Sequence, residues 1–174
     1  NWGGPGAFLQ IGDGPANITV EHNTVVQTGS VVVAYGGSAQ APAQVAGFIF
    51  RNNMALHNEY GIKGDSRAIG NGTLTAYFPG AVVTRNVLAG GNASLYPDGN
   101  FFPSVSDFYA QFSNAQAGNF QLAASSSLLR SASDGSAIGV DPRTPAAVLA
   151  SATGNVRFAV PRSSVTPTKP KIGG

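Results

Sequence analysis

Three stretches of the chain superpose when aligned on their last residue: Asn17-Ile-Thr-Val-Glu-His-Asn23, Gly47-Phe-Ile-Phe-Arg-Asn-Asn53 and Gly80-Ala-Val-Val-Thr-Arg-Asn86. Each is a short run of β-type residues closed by an Asn, and the Asn residues stand 30 and 33 positions apart. A period of that length built from strands predicts a solenoid of stacked coils, because one such unit cannot bury its apolar face alone. A second set alternates with the first. Gln10-Ile-Gly-Asp13, Ala34-Tyr-Gly-Gly37, Ile62-Lys-Gly-Asp65 and Leu95-Tyr-Pro-Asp98 follow one another at spacings of 24, 28 and 33. Thr24–Thr28, Met54–Leu56 and Val87–Ala89 supply a third strand per turn. The predicted fold class is therefore all-β, a parallel β-helix whose coils stack about 4.8 Å apart. Its hand is right, as parallel crossovers are.

Alternation assigns the faces. Glu21 and Arg51 point outward as a pair on adjacent coils, so Ile18, Val20, Phe48, Phe50 and Val83 point inward. Asn23, Asn53 and Asn86 are expected to stack at one turn in the αL conformation, each amide bonding to the coils on either side. Loops Ser38–Val45, Ser66–Pro79 and Gly99–Asp107 interrupt the pattern on one side, where insertions into a solenoid commonly form its binding surface. Three regions are predicted: coils over 1–105, a C-terminal capping segment over 106–142 and an extended tail or linker over 143–174. The second opens with a short helix over Val105–Phe112, capped by Ser106 or Asp107.

Composition narrows the partners. Only 10% of the 174 residues are charged, and the net charge of +2 comes with no run of Lys or Arg to track phosphates, which argues against nucleic acid. There is no Cys, which excludes thiolate metal sites and Cys nucleophiles. No apolar run approaches the roughly 20 residues of a membrane span.

The coil pattern of the three Asn-ended strands, with the ending Asn119-Phe-Gln-Leu-Ala-Ala-Ser-Ser-Ser-Leu through Asp134-Gly-Ser-Ala-Ile-Gly-Val-Asp141, resembles the C-terminal part of a secreted bacterial right-handed parallel β-helix protein of the pectate-lyase-like superfold. The resemblance spans roughly residues 6–142. It implies an extracellular or periplasmic protein and further coils upstream of Asn1. The N-terminal coil is then expected to be open, and to meet an upstream β-helix segment or a second copy of the chain. The superfold hosts lyases, hydrolases, adhesins and inert scaffolds, so it does not select an activity.

Two constellations are candidate sites. In the second repeat set, an outward Lys63 predicts an exposed column of Ile11, Tyr35, Lys63 and Tyr96 flanked by Asp13, Asp65 and Asp98. Tyr35, Lys63, Tyr96 and Asp13 are candidate glycan contacts, and Lys63, Asp65 and Asp98 are candidate catalytic groups. Asp65 and Asp98, on adjacent coils, are candidate Ca²⁺ ligands. The same Asp residues also read as turn formers at strand ends. The second constellation is His57-Asn-Glu59 with Lys63, Asp65 and Arg67, where His57 and Glu59 share one face if extended; it also reads as a solvated turn. His22, beside Asn23, reads as a turn residue. Two functional expectations follow. One is a carbohydrate-associated extracellular β-helix module that binds a polysaccharide or displays a surface. The other is a polysaccharide lyase or glycoside hydrolase acting on an acidic glycan.

Overall fold

The computed structural model describes residues 6–140, so the tail expected over 143–174 lies outside the described residues. The chain lays down β1 (Leu9–Gly12), β2 (Thr19–Glu21) and β3 (Thr24–Val25), then β4 (Val32–Tyr35), β5 (Ile49–Arg51) and β6 (Met54–Leu56). A third pass gives β7 (Ile62–Gly64), helix α1 (Asn71–Tyr77), β8 (Val82–Thr84) and β9 (Val87–Ala89). Each pass contributes one strand to each of three sheets, β1-β4-β7, β2-β5-β8 and β3-β6-β9, with every pairing parallel. The result is an all-β arrangement of stacked parallel strands, compatible with a β-helix-like fold.

The second sheet follows the alternation. Val20, Phe50 and Val83 stack in register, as do Glu21, Arg51 and Thr84. Phe48 and Phe50 are fully buried, and Phe48 lies 4.4 Å, ring centre to ring centre, from Phe78. Outside, Arg51 Nε donates to Glu21 Oε2 at 2.7 Å. Ile18 and Val20 are only half-buried, because the first pass has a neighbour on one side.

At the corner between the second and third sheets the Asn residues form a ladder. The backbone N–H and Nδ2 of Asn23 both donate to Asn53 Oδ1, at 3.1 and 2.9 Å, and those of Asn53 both donate to Asn86 Oδ1 at 3.0 Å. The sequence pattern stops there, but the ladder has a fourth rung: Asn86 donates in the same way to Asn100 Oδ1. The expected αL conformation belongs instead to the residue before each rung. His22, Asn52, Arg85 and Gly99 have φ of 55°, 59°, 56° and 82°. Turning the corner one residue early leaves each ladder Asn free to aim its amide along the stack, and Nδ2 of Asn53 also reaches the Val20 and Arg51 carbonyls.

The third sheet is covered on both faces. Ala55 and Leu88 belong to the core shared with the other sheets, while Met54, Leu56, Val87 and Ala89 face a second core. That second core is supplied by α2 (Val105–Ala110), the antiparallel pair β10 (Phe112–Asn114) and β11 (Asn119–Leu122), and the segment through Ile138. The segment expected to close the open end of the stack thus flanks it, because Phe108, Phe112, Leu122 and Ile138 find their apolar partners on the outer face of the third sheet. Its attachment uses the αL corner: Asn52 Oδ1 accepts from Ser133 N at 2.8 Å, and His22 Nδ1 donates to Ala137 O at 3.1 Å. The cap of α2 is Ser104, not Ser106 or Asp107; its Oγ accepts from Asp107 N at 3.1 Å and donates to the Asp107 carboxylate at 2.6 Å.

The end of the first core is closed by other residues. Leu74 and Tyr77 of α1, with Phe78 and Tyr96, are buried there. Helix α1 lies inside the segment expected to be a loop. It has no side-chain cap, so no sequence signal announces it, and the burial of Leu74 and Tyr77 holds it. No helix among the described residues is long and apolar enough to cross a membrane.

Candidate functional site: a cleft on the outer face of the first sheet

In the first sheet Leu9, Val32 and Ile62 stack in register, then Gln10, Val33 and Lys63, then Ile11, Ala34 and Gly64. Val32, Ala34, Ile62 and Ile11 are buried, so the outward rows are Gln10–Val33–Lys63 and, two residues on, Gly12–Tyr35. The expected column therefore breaks up. Ile11 is in the core, and Tyr35 and Lys63 do face outward but on successive rows. The cause is a register slip. Gly36, at φ 100°, lies against Asp13, while Asp65 N donates to Ala34 O. The Gly-Asp endings that align in sequence are thus out of step in space, and one step in a strand exchanges the faces.

Tyr96 is displaced further. Asn92 Oδ1 accepts from Ser94 N at 3.1 Å and winds Ala93–Leu95 into a 3-10 turn, which delivers Tyr96 to the core at 4% exposure. Its hydroxyl accepts from Ile62 N at 3.1 Å and donates to His57 Nε2 at 2.7 Å. Burial pushes its pKa up to about 12. Tyr96 is therefore a core hydrogen-bonding group and is withdrawn as a glycan contact.

Asp13, Asp65 and Asp98 are all exposed. Asp13 and Asp65 follow strands of the first sheet. Asp98 lies in the turn whose Gly99 carbonyl accepts from Arg85 N and whose Asn100 joins the ladder, so it sits beside the second sheet. Asp65 and Asp98 therefore follow different sheets and not adjacent strands of one, which is where the expected pair would have stood. No group of three or more His, Asp or Glu side chains converges among the described residues. Ca²⁺ takes six to eight oxygen ligands, and the residues present do not fit it.

The second constellation folds as a turn, not as an extended strand. Asn58 and Gly61 have φ of 53° and 54°, and Gly61 N donates to His57 O at 2.9 Å. His57 therefore goes inside, with Nδ1 donating to the Asn58 carbonyl, while Glu59 and Tyr60 go outside. Asn58 Nδ2 donates to the Gln27 and Gly29 carbonyls at 2.9 and 2.8 Å and ties this turn to the one from the preceding pass.

Between these turns and the outward row lies a cleft of about 290 Å³. Gln10, Val33 and Lys63 line it along the sheet, and Thr28–Ser30 and Asn58–Tyr60 line it along the turns. Tyr60 is 41% exposed, and Lys63 Nζ stands 4.5 Å from its ring centre. Glu59, through a side-chain hydrogen bond and its charge, raises the Tyr60 pKa. Among the described residues the one Lys or Arg paired with a carboxylate is Arg51, with Glu21, so Lys63 is free to meet a ligand. Arg67, in the same stretch, turns aside and donates to the Ala39 carbonyl, holding the loop beside Tyr35. Of the cleft residues, Lys63 and Glu59 are visible in the sequence pattern, whereas Tyr60 and Gln10 are not. Tyr60 joins them only because the αL turn at Asn58 swings it back over Lys63.

An aromatic face, an ammonium, a carboxylate and side-chain amides in one shallow depression suit a ligand with many hydroxyls. Among the described residues Glu59 is the one carboxylate lining the cleft, whereas glycoside hydrolysis ordinarily uses two, about 5–10 Å apart. Comparison with protein-family models, with curated proteins and with solved structures finds no match for the chain.

Proposed function

We propose that the protein is a carbohydrate-associated module: a right-handed parallel β-helix of the pectate-lyase-like kind, exported by a bacterium, that binds a polysaccharide on the outer face of its first sheet. The single observation carrying this reading is the cleft in which exposed Tyr60, backed by the Lys63 ammonium, stands beside Glu59 and Gln10. The three-pass parallel register and the four-rung Asn ladder support the β-helix.

The test is co-sedimentation and titration against a panel of neutral and acidic polysaccharides, with and without Ca²⁺. Tyr60→Ala and Lys63→Ala are expected to abolish retention, and Glu21→Ala, on the second sheet, to leave it intact. Retention unchanged in all three variants overturns the reading.

The free Lys63 beside Glu59 favours a second reading, a lyase or hydrolase of an acidic glycan. New reducing ends or unsaturated products from an acidic polysaccharide would establish it.

We also propose that the N-terminal end of the stack meets an upstream β-helix segment or a second copy of the chain. Among the described residues β1, β2 and β3 each pair on one side only, and Phe8, Leu9, Ile18, Val20 and Val25 are only partly buried.

A further inference from the structure

The direction in which a glycan crosses the first sheet can be read from its aromatic residues, given the binding function proposed above. A chain lying along the stacking direction would follow the row Gln10–Val33–Lys63, which holds no aromatic residue. That row also ends at β7, which α1 packs against, and Tyr96 beyond it is in the core. Among the described residues, the exposed rings of the outer face are Tyr60 and Tyr35, at 41% and 40%. They lie toward opposite ends of the strands: Tyr60 in the turn before β7, Tyr35 as the last residue of β4.

Tyr35 is shaped as a platform. A Cβ at Gly12 would come within 2.3 Å of its Cε2, so the ring lies down over the neighbouring strand only because Gly12 has no side chain. The side of the ring from Cδ2 to Cζ thus lies over Gly12, and Tyr35 keeps 40% exposure. The loop beside it is fixed by the Gly37–Pro42 bridge and by Arg67. Tyr35 is two strand positions past the Lys63 row, and Tyr60 leans on Lys63, which puts the two rings on the order of 10 Å apart. That is roughly two units of an extended sugar chain.

We infer that the first sheet binds a linear glycan lying along its strands, held at one end on Tyr60 with Lys63 and at the other on Tyr35. The ligand class is a chain long enough to span both rings; a disaccharide reaches only the Tyr60 end.

The experiment titrates hexagalacturonate, xylohexaose and cellohexaose, with the corresponding disaccharides, into the whole chain and its variants. For whichever hexasaccharide binds, Tyr35→Ala is expected to weaken affinity about tenfold, the scale of one aromatic contact. Binding of the matching disaccharide is expected to be unchanged by Tyr35→Ala and lost in Tyr60→Ala. Gly12→Ser, which lifts the Tyr35 ring, is expected to reproduce the Tyr35→Ala result without removing the ring. A hexasaccharide that depends on Tyr60 and Gln10 but not on Tyr35 overturns the inference and leaves the cleft standing. Failure of all three hexasaccharides to bind the unaltered protein overturns the binding function and this inference together. Circular dichroism of each variant separates lost contact from lost fold.

Discussion

Asn53 carries more hydrogen bonds than its size suggests. Its Oδ1 accepts two N–H groups from Asn23, and its Nδ2 donates to Asn86, Val20 and Arg51, while Asn53 itself has zero exposure. Asn53→Ala strands several partners at once, part-buried at Asn23, Val20 and Arg51 and fully buried at Asn86, and each unsatisfied buried group costs about 1–3 kcal/mol. A loss of at least about 3 kcal/mol is therefore expected in urea unfolding. Tyr96 offers a second test at this scale, through its titration. Its pKa is pushed up to about 12 in the folded protein, against 10.0 for a free tyrosine. The unfolded chain thus loses this proton first, and folding stability falls as pH rises from about 10 toward 12. Two units correspond to about 3 kcal/mol over that window. Alkaline unfolding followed by circular dichroism is expected to shift to higher pH in Tyr96→Phe, relative to its own neutral-pH stability. That variant also begins less stable by about 2 kcal/mol, having left Ile62 N–H and His57 without their partner.

Among the elements, the short strands draw little stability from length and depend on what they bury. Phe50→Ala in β5 is expected to cost about 3–5 kcal/mol, as a core truncation does. The same change at Phe108 in α2 is expected to cost a similar amount, while Tyr109→Ala, next door and 36% exposed, is expected to cost under about 1 kcal/mol. Denaturant midpoints of the three variants check the ranking. The second-sheet strands were legible in sequence because Glu21 and Arg51 mark the outward side and Asn closes each run. The first-sheet strands were not, because the Gly-Asp endings of β1 and β7 match in sequence yet stand one residue out of step in space, Gly12 level with Tyr35 and Gly64 level with Ala34. Helix α1 was invisible for a different reason: Gly70 at its N-cap and two Thr within it carry no helix signal. The cleft was half-legible. Lys63 and Glu59 stood out as charges in a charge-poor chain, but the fold of the Asn58 turn, which decides that Tyr60 faces out and His57 in, rests on contacts with Gln27 and Gly29, 31 and 29 residues earlier.

At the scale of the whole molecule, the two ends of the stack differ. One is closed by Leu74, Tyr77, Phe78 and Tyr96; the other presents half-buried Phe8, Ile18 and Val20. Light scattering is expected to show association that grows with protein concentration, and Ile18→Lys with Val20→Lys is expected to suppress it; a concentration-independent monomer removes the proposed contact. The third sheet has the opposite situation. Strand β6 is bordered by β3 and β9 along its edges, with apolar side chains from two separate cores above and below. Solvent reaches its amides only when both cores open together, so deuterium should enter the backbone of Met54–Leu56 last of all, after the outer strands and the Asn58 turn have exchanged. The place where ligand is proposed to bind and the place that resists opening longest are then successive stretches of one chain, Met54–Leu56 and Asn58–Tyr60, separated by a single buried histidine.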